Sequence, residues 1–81
     1  MYKVYVLKSI ADGNFYYGFT NNLSRRLKEH NLGKIKTTKY RRPLEVIYYE
    51  NVATLELARK REKYFKSGFG RKYIKNRIIN N

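Results

Sequence analysis

Glu62 stands where a carboxylate is costly. Leu55, Ala58, Glu62 and Phe65 follow one another at three- and four-residue intervals, the spacing of a helical stripe turned to the core. An unpaired carboxylate on or beside such a stripe needs a cation. That cation is either an arginine, in a buried salt bridge, or a hard divalent metal, which suits carboxylate oxygens. Asn22, Arg26 and His30 recur every four residues and so share one side of a helix. The arginine suits a bidentate grip on phosphate and the histidine a proton-carrying role, although a lone histidine on a solvated helix is usually idle. Tyr5 and Tyr16 fall on two strands joined by a turn. Strand phenols usually pack, and with a pKa near 10 they act as bases only when a cation lowers it. Gly18, inside the second strand, marks a close backbone approach or a bulge.

Several elements must position these side chains. Residues 2–8 combine β-branched and aromatic types in a short run that suits a strand. Asp12-Gly13 is a tight-turn signal, and residues 15–19 read as the returning strand of a hairpin. Thr20, Asn21 and Asn22 offer helix caps, with a helix from Leu23 to about Leu32 and Gly33 as its stop. Residues 34–42 form a basic irregular loop before Pro43, and residues 44–50 read as a third strand. Thr54 or Asn51 caps a helix from about Leu55 to Lys66; Ser67-Gly68-Phe69-Gly70 breaks it, and residues 71–79 form a last short helix. The order β-β-α-β-α-α predicts a small α/β (α+β) fold, a three-stranded antiparallel or mixed sheet flanked by helices. The short link makes the first two strands antiparallel neighbours. A length of 81 residues predicts a single domain, residues 1–81, with a thin core.

The charge points to the partner. Nineteen Lys and Arg against six acids leave +13 on the chain, and nine Tyr and four Phe are interspersed with them. Self-repulsion on that scale is usually matched by a polyanion, and cations beside flat rings suit nucleic acid. An evenly basic, merely soluble surface is the plain alternative. Eight cations fall between Arg25 and Arg42, nine between Arg59 and Arg77, and two in the first strand. Lys34, Lys36, Lys39, Arg41, Arg42, Lys66, Arg71 and Lys72 are therefore the expected nucleic-acid contacts. No apolar run is long enough for a membrane span, no segment reads as an amphipathic membrane helix, and the first residues read as mature structure rather than a signal peptide. The absence of cysteine removes disulfides and thiolate zinc sites, and fits a reducing compartment. Cytoplasmic placement, at the nucleoid when bound to DNA, is the expectation.

Taken together, these residues resemble the GIY-YIG nuclease family, and the small single-domain members most closely. The first half-motif reads Lys3-Val4-Tyr5, keeping only the tyrosine. The second reads Tyr16-Tyr17-Gly18, keeping tyrosine and glycine. The stretch Thr20-Asn21-Asn22-Leu23-Ser24-Arg25-Arg26-Leu27-Lys28-Glu29-His30 looks like the family's segment after the second half-motif, and Ala58 to Lys66 is similar to the family's metal-binding helix. The resemblance implies a β-β-α-β-α-α nuclease that cleaves phosphodiesters with one divalent cation. By position, Tyr5 and Tyr16 are the motif tyrosines, Arg26 the phosphate clamp and His30 a histidine used in several members. Glu62 matches the sole protein metal ligand. Asn76 is a further position in the last helix, used by some members, and Gly18 belongs to the motif itself.

The expected activity is a Mg²⁺- or Mn²⁺-dependent endonuclease acting on nucleic acid, most of all DNA, in repair or recombination, with preference for structure over sequence. No organic cofactor is expected. In that mechanism Tyr5, assisted by His30 or Tyr16, takes the proton of the attacking water; Arg26 neutralises the non-bridging oxygens; Glu62 holds the metal beside the leaving oxygen. The alternatives are a non-catalytic, RNA- or DNA-associated basic module that keeps the shape, and an accessory domain that meets an acidic protein. A carboxylate held among phosphate-facing cations is hard to reconcile with either.

Overall fold

The computed structural model of the chain describes residues 1–79. Three strands, β1 (Tyr2–Ser9), β2 (Phe15–Thr20) and β3 (Leu44–Val52), form one antiparallel sheet in the order β2-β1-β3. The helices are α1 (Leu23–Asn31), α2 (Leu55–Lys66) and α3 (Gly68–Ile79), and a single turn of 3₁₀ helix spans Lys39–Arg41. The element order is the expected β-β-α-β-α-α, and no parallel pair occurs among the described strands.

The middle strand explains its own sequence. Val4, Tyr5, Val6 and Leu7 are all buried, because α1 covers one face of β1 and α2 with α3 cover the other. A strand buried on both faces reads as a continuous apolar run rather than an alternation. On one face Val4 and Val6 meet Ala58, Phe65 and Ile74. On the other, Tyr5 and Leu7 meet Leu44, with Tyr16, Leu23, Leu27 and Val46 around them. The register shift between Val6 and Leu7 against β3 is a bulge that carries Ile47 onto the face of Tyr48. Gly18 itself is in regular register opposite Tyr5, so of its two expected meanings the close approach holds.

Local chemistry sets the helix starts. The Asn22 side chain accepts from Arg25 N at 3.1 Å and Thr54 Oγ1 from Leu57 N at 3.1 Å, caps worth about 1 kcal/mol each. The expected break at residues 67–70 is narrower than the residues suggested. Ser67 alone leaves helical geometry, its Oγ accepts from Gly70 N at 3.2 Å, and α3 begins at Gly68. Gly70 makes the tight turn feasible: a Cβ there would collide with the Tyr64 carbonyl oxygen, so α3 can start directly against the end of α2.

Candidate active site

Three elements converge on the edge strand β2. Tyr5, from the neighbouring strand, lies directly opposite Gly18, and a side chain at residue 18 would strike the Tyr5 hydroxyl at 2.6 Å and its Cζ at 2.7 Å. The missing side chain of Gly18 is thus the space the phenol occupies. Tyr16 stands two residues along the same face, with its ring edge-on to His30 at 5.0 Å between centroids. His30 comes from α1 and lies 6.1 Å from the Tyr5 ring. Its Nε2 shares a hydrogen bond with Tyr5 Oη at 3.1 Å, and its Nδ1 shares one with Thr38 Oγ1 at 2.7 Å.

This placement corrects the expected position of His30. Rather than standing on a solvated helix side, it is fully buried, as is Thr38. Tyr5 and Thr38 satisfy both ring nitrogens, which offsets the cost of burying the neutral imidazole. Burial, and then the Arg26 charge, push His30 down to about 4. Burial likewise pushes the Tyr5 phenol up to about 12, while hydrogen bonding to Arg26 acts in the lowering direction. The resting pair is therefore a neutral phenol and a neutral imidazole. Because Thr38 is enclosed, the hydrogen-bonded line from Tyr5 through His30 ends inside the protein.

Arg26, half-exposed on α1, reaches Tyr5 and also pairs with Glu29, whose Oε1 lies 3.2 Å from its Nη1. Asn22, the third member of the four-residue file, is the helix cap and exposed. From the opposite layer, Glu62 on α2 is near enough to Tyr5 to oppose ionisation of the phenol. It sits at the margin of the apolar stripe rather than in it, with 21% of its side chain exposed. Leu55, expected on that stripe, is exposed; Ala58 and Phe65 carry the burial. The partner of Glu62 is Lys66, one helical turn on, whose Nζ donates to Oε1 at 2.8 Å. It is not an arginine. Among the described residues Oε2 accepts no hydrogen bond, and no cluster of three or more metal-ligating side chains forms. One hard carboxylate with a free oxygen fits an ion such as Mg²⁺ that keeps most of its waters, and does not fit a closed protein cage.

The expected phosphate contacts divide into two kinds. Lys34, Lys36, Lys39, Arg71 and Lys72 are exposed, as is Lys66 despite its pairing with Glu62; Asn76, the further position expected in the last helix, is exposed as well. Arg41 is engaged inside the protein, its Nε donating to Asp12 at 3.0 Å and its Nη2 to the Phe15 carbonyl at 3.3 Å. Arg42 is folded back, donating to the Lys39 carbonyl at 2.8 Å. Both hold the loop in place, as Ser9 Oγ does by donating to the Arg41 carbonyl at 2.6 Å. Sequence reasoning missed Thr38, and also Asn31, whose amide brackets the backbone N–H and C=O of Leu44 at 2.8 and 3.0 Å and fixes α1 to β3. The pair of threonines in an otherwise basic loop was the available signal for Thr38.

Comparison with known proteins gives the family and the fold. Residues 1–75 match the GIY-YIG catalytic domain. A UPF0213 protein of Bacillus pumilus is 50% identical over 64 residues, covering 78% of this chain and 64% of that protein. The UPF0213 protein YazA of Bacillus subtilis is 48% identical over 63 residues, covering 76% and 63% respectively. The chain thus spans slightly less than two thirds of the length of these curated relatives. The solution NMR structure of the UPF0213 protein BH0048 from Bacillus halodurans superposes with a TM-score of 0.57 at 30% identity, over 94% of this chain and 84% of that one. With that match over residues 1–75, the chain belongs to the GIY-YIG catalytic-domain family, a family of nucleases.

Proposed function

We propose that this protein is a divalent-metal-dependent endonuclease that hydrolyses DNA phosphodiester bonds. One observation carries the reading: Tyr5, Tyr16, Arg26 and His30 gather on one side of Gly18 while Glu62 approaches from the other layer with one carboxylate oxygen free. Arg26 grips the non-bridging oxygens of the phosphate and offsets charge that grows in the transition state. The same cation, beside the Tyr5 oxygen, favours its ionised form; Tyr5 gives up its own proton to solvent before the attack, and the resulting tyrosinate takes the proton of the attacking water. His30 holds the Tyr5 oxygen in place, a positioning role that suits a neutral imidazole whose far nitrogen is occupied by Thr38. Tyr16, half-exposed and packed against His30, borders the phosphate. Glu62 would hold Mg²⁺ or Mn²⁺, which supplies Lewis-acid stabilisation of the leaving 3′ oxygen when bound.

The exposed cations of the loop, and those of α3 on the other side of the sheet, support a nucleic-acid backbone passing the site, with DNA structure preferred over sequence and a role in repair or recombination at the nucleoid, in the cytoplasm. The ion pair of Lys66 with Glu62 favours a second reading, a non-catalytic basic module that retains the fold. A panel of linear, nicked, branched and single-stranded DNA, with matching RNA, incubated with Mg²⁺, Mn²⁺ or chelator separates the two. The nuclease gives metal-dependent product on at least one DNA. Salt-sensitive binding with no product on any of them contradicts it.

A further inference from the structure

Behind the edge strand, on the face opposite Tyr16, a cleft of about 400 Å³ opens between the hairpin turn and α3. Gly13 and Asn14 form one end, Phe15 and Tyr17 one wall, and Arg71 and Lys75 the other. The two cations are one helical turn apart and so face the cleft together. No carboxylate among the described residues pairs with either, whereas Arg26, Arg41, Lys60, Arg61 and Lys66 each have one. Arg71 stands close enough to the Tyr17 phenol to favour its ionisation, although burial outweighs this and raises the group. Two unpaired cations facing two half-exposed rings are the parts of a single-strand subsite: charge for the phosphate, an apolar wall for base and sugar.

We propose that this cleft binds an unpaired nucleotide of the strand flanking the phosphodiester site, a reading that rests on the nuclease function proposed above. Tyr16 and Tyr17 are consecutive residues whose side chains project from opposite faces of β2, and β2 is an edge strand. A nucleic-acid strand in contact with both sites must turn around that edge. Duplex DNA, with a persistence length of about 150 bp, resists so sharp a turn; an unpaired tail follows it freely. The cleft therefore selects substrates in which pairing ends next to the scissile position.

Fluorescence anisotropy in chelator, comparing a blunt duplex with the same duplex carrying an unpaired tail, tests this directly. The wild-type protein should bind the tailed duplex about tenfold more tightly, the effect of one stacked base with its phosphate. Arg71→Ala/Lys75→Ala should abolish that preference and lower the salt slope on the tail by about 1.4, roughly 0.7 per lost phosphate contact. Lys28→Ala/Lys63→Ala removes the same charge from exposed positions elsewhere and should keep the preference. A tail preference that survives in the Arg71/Lys75 variant, or falls equally in the control, overturns the proposal. Complete displacement of the tail by an equimolar mononucleotide would overturn it in favour of a free-nucleotide site. Cutting is not read in this assay. Absence of the preference in the wild-type protein fails the cleft alone, and an intact preference in a protein that cleaves nothing in the separate cleavage panel fails the nuclease reading alone.

Discussion

The two faces of the sheet are closed by different chemistry. Against α2 and α3, β1 presents Val4 and Val6 to Ala58, Phe65 and Ile74, an apolar layer with Phe65 and Tyr73 stacked at 6.3 Å. Against α1, the same strand presents Tyr5 to His30, and His30 to Thr38, so three fully or nearly fully buried residues are polar or carry a hydroxyl. Among the described residues no buried side-chain polar atom lacks a partner, so the polar face has no unsatisfied group to oppose folding. The contrast places the larger apolar cluster on one face and the buried hydrogen-bonded line, beside Leu7 and Leu44, on the other, with Glu62 reaching the candidate site from the apolar layer. The Glu50 carboxylate, gripped by Arg61 at 2.7 and 3.1 Å and by the Tyr48 hydroxyl at 2.7 Å, seals the rim of the apolar face rather than joining the site.

If that division is right, substitutions on the two faces separate stability from activity. Phe65→Ala, in the apolar layer, should cost about 3–5 kcal/mol. In a domain this small that removes most of the folded population, as chemical denaturation would read. Arg26→Ala should leave the melting temperature near wild type, since its ion pair with Glu29 is open to solvent, with 36% and 32% of the two side chains exposed. It should slow cleavage about 10²–10³-fold, or roughly 2.7–4 kcal/mol of transition-state stabilisation. A large melting shift in Arg26→Ala with little rate loss would erase the distinction.

The polar face should also impose a pH limit. His30 has a folded pKa near 4, below its ordinary 6.5; the unfolded chain therefore binds the proton first as pH falls. Its contribution is present above about pH 6.5 and is lost as pH drops toward 4, on the order of 2–3 kcal/mol. Thermal melts across that window should show the loss, and His30→Gln should flatten it. Gly18→Ala comes last in size, about 1–3 kcal/mol of overpacking. Because the new Cβ would displace the Tyr5 hydroxyl, its cleavage rate should fall by more than its stability predicts. Equal losses would detach Gly18 from the positioning of Tyr5.

Spacing made much of this legible. Glu62 and the file of Arg26 and His30 stood out because periodicity places residues on faces; Tyr5 and Tyr16 took their candidate roles from the resemblance to the GIY-YIG family, and the element order followed from turn and cap residues. What periodicity does not carry is partnership across the chain. His30 is buried because Thr38 arrives from a loop with no periodicity of its own, and nothing within α1 shows this. Glu62 met Lys66 rather than an arginine because a neighbour one turn away on the same helix needs no tertiary approach. Arg41 and Arg42 read as phosphate contacts by charge alone, yet Asp12 and backbone carbonyls engage them once the hairpin folds over the loop. The start of α3 at Gly68 depended on a backbone approach at Gly70 that glycine permits but does not announce.

The measurement that bears most directly on the central claim is single-turnover cleavage by Glu62→Gln beside the wild type, in Mg²⁺ and in Mn²⁺, with DNA binding measured on the same samples. The substitution keeps the shape of the side chain and removes its charge. Binding should persist while cleavage falls about 10²–10³-fold in both metals. Cleavage by Glu62→Gln at the wild-type rate would contradict a metal-holding role for Glu62.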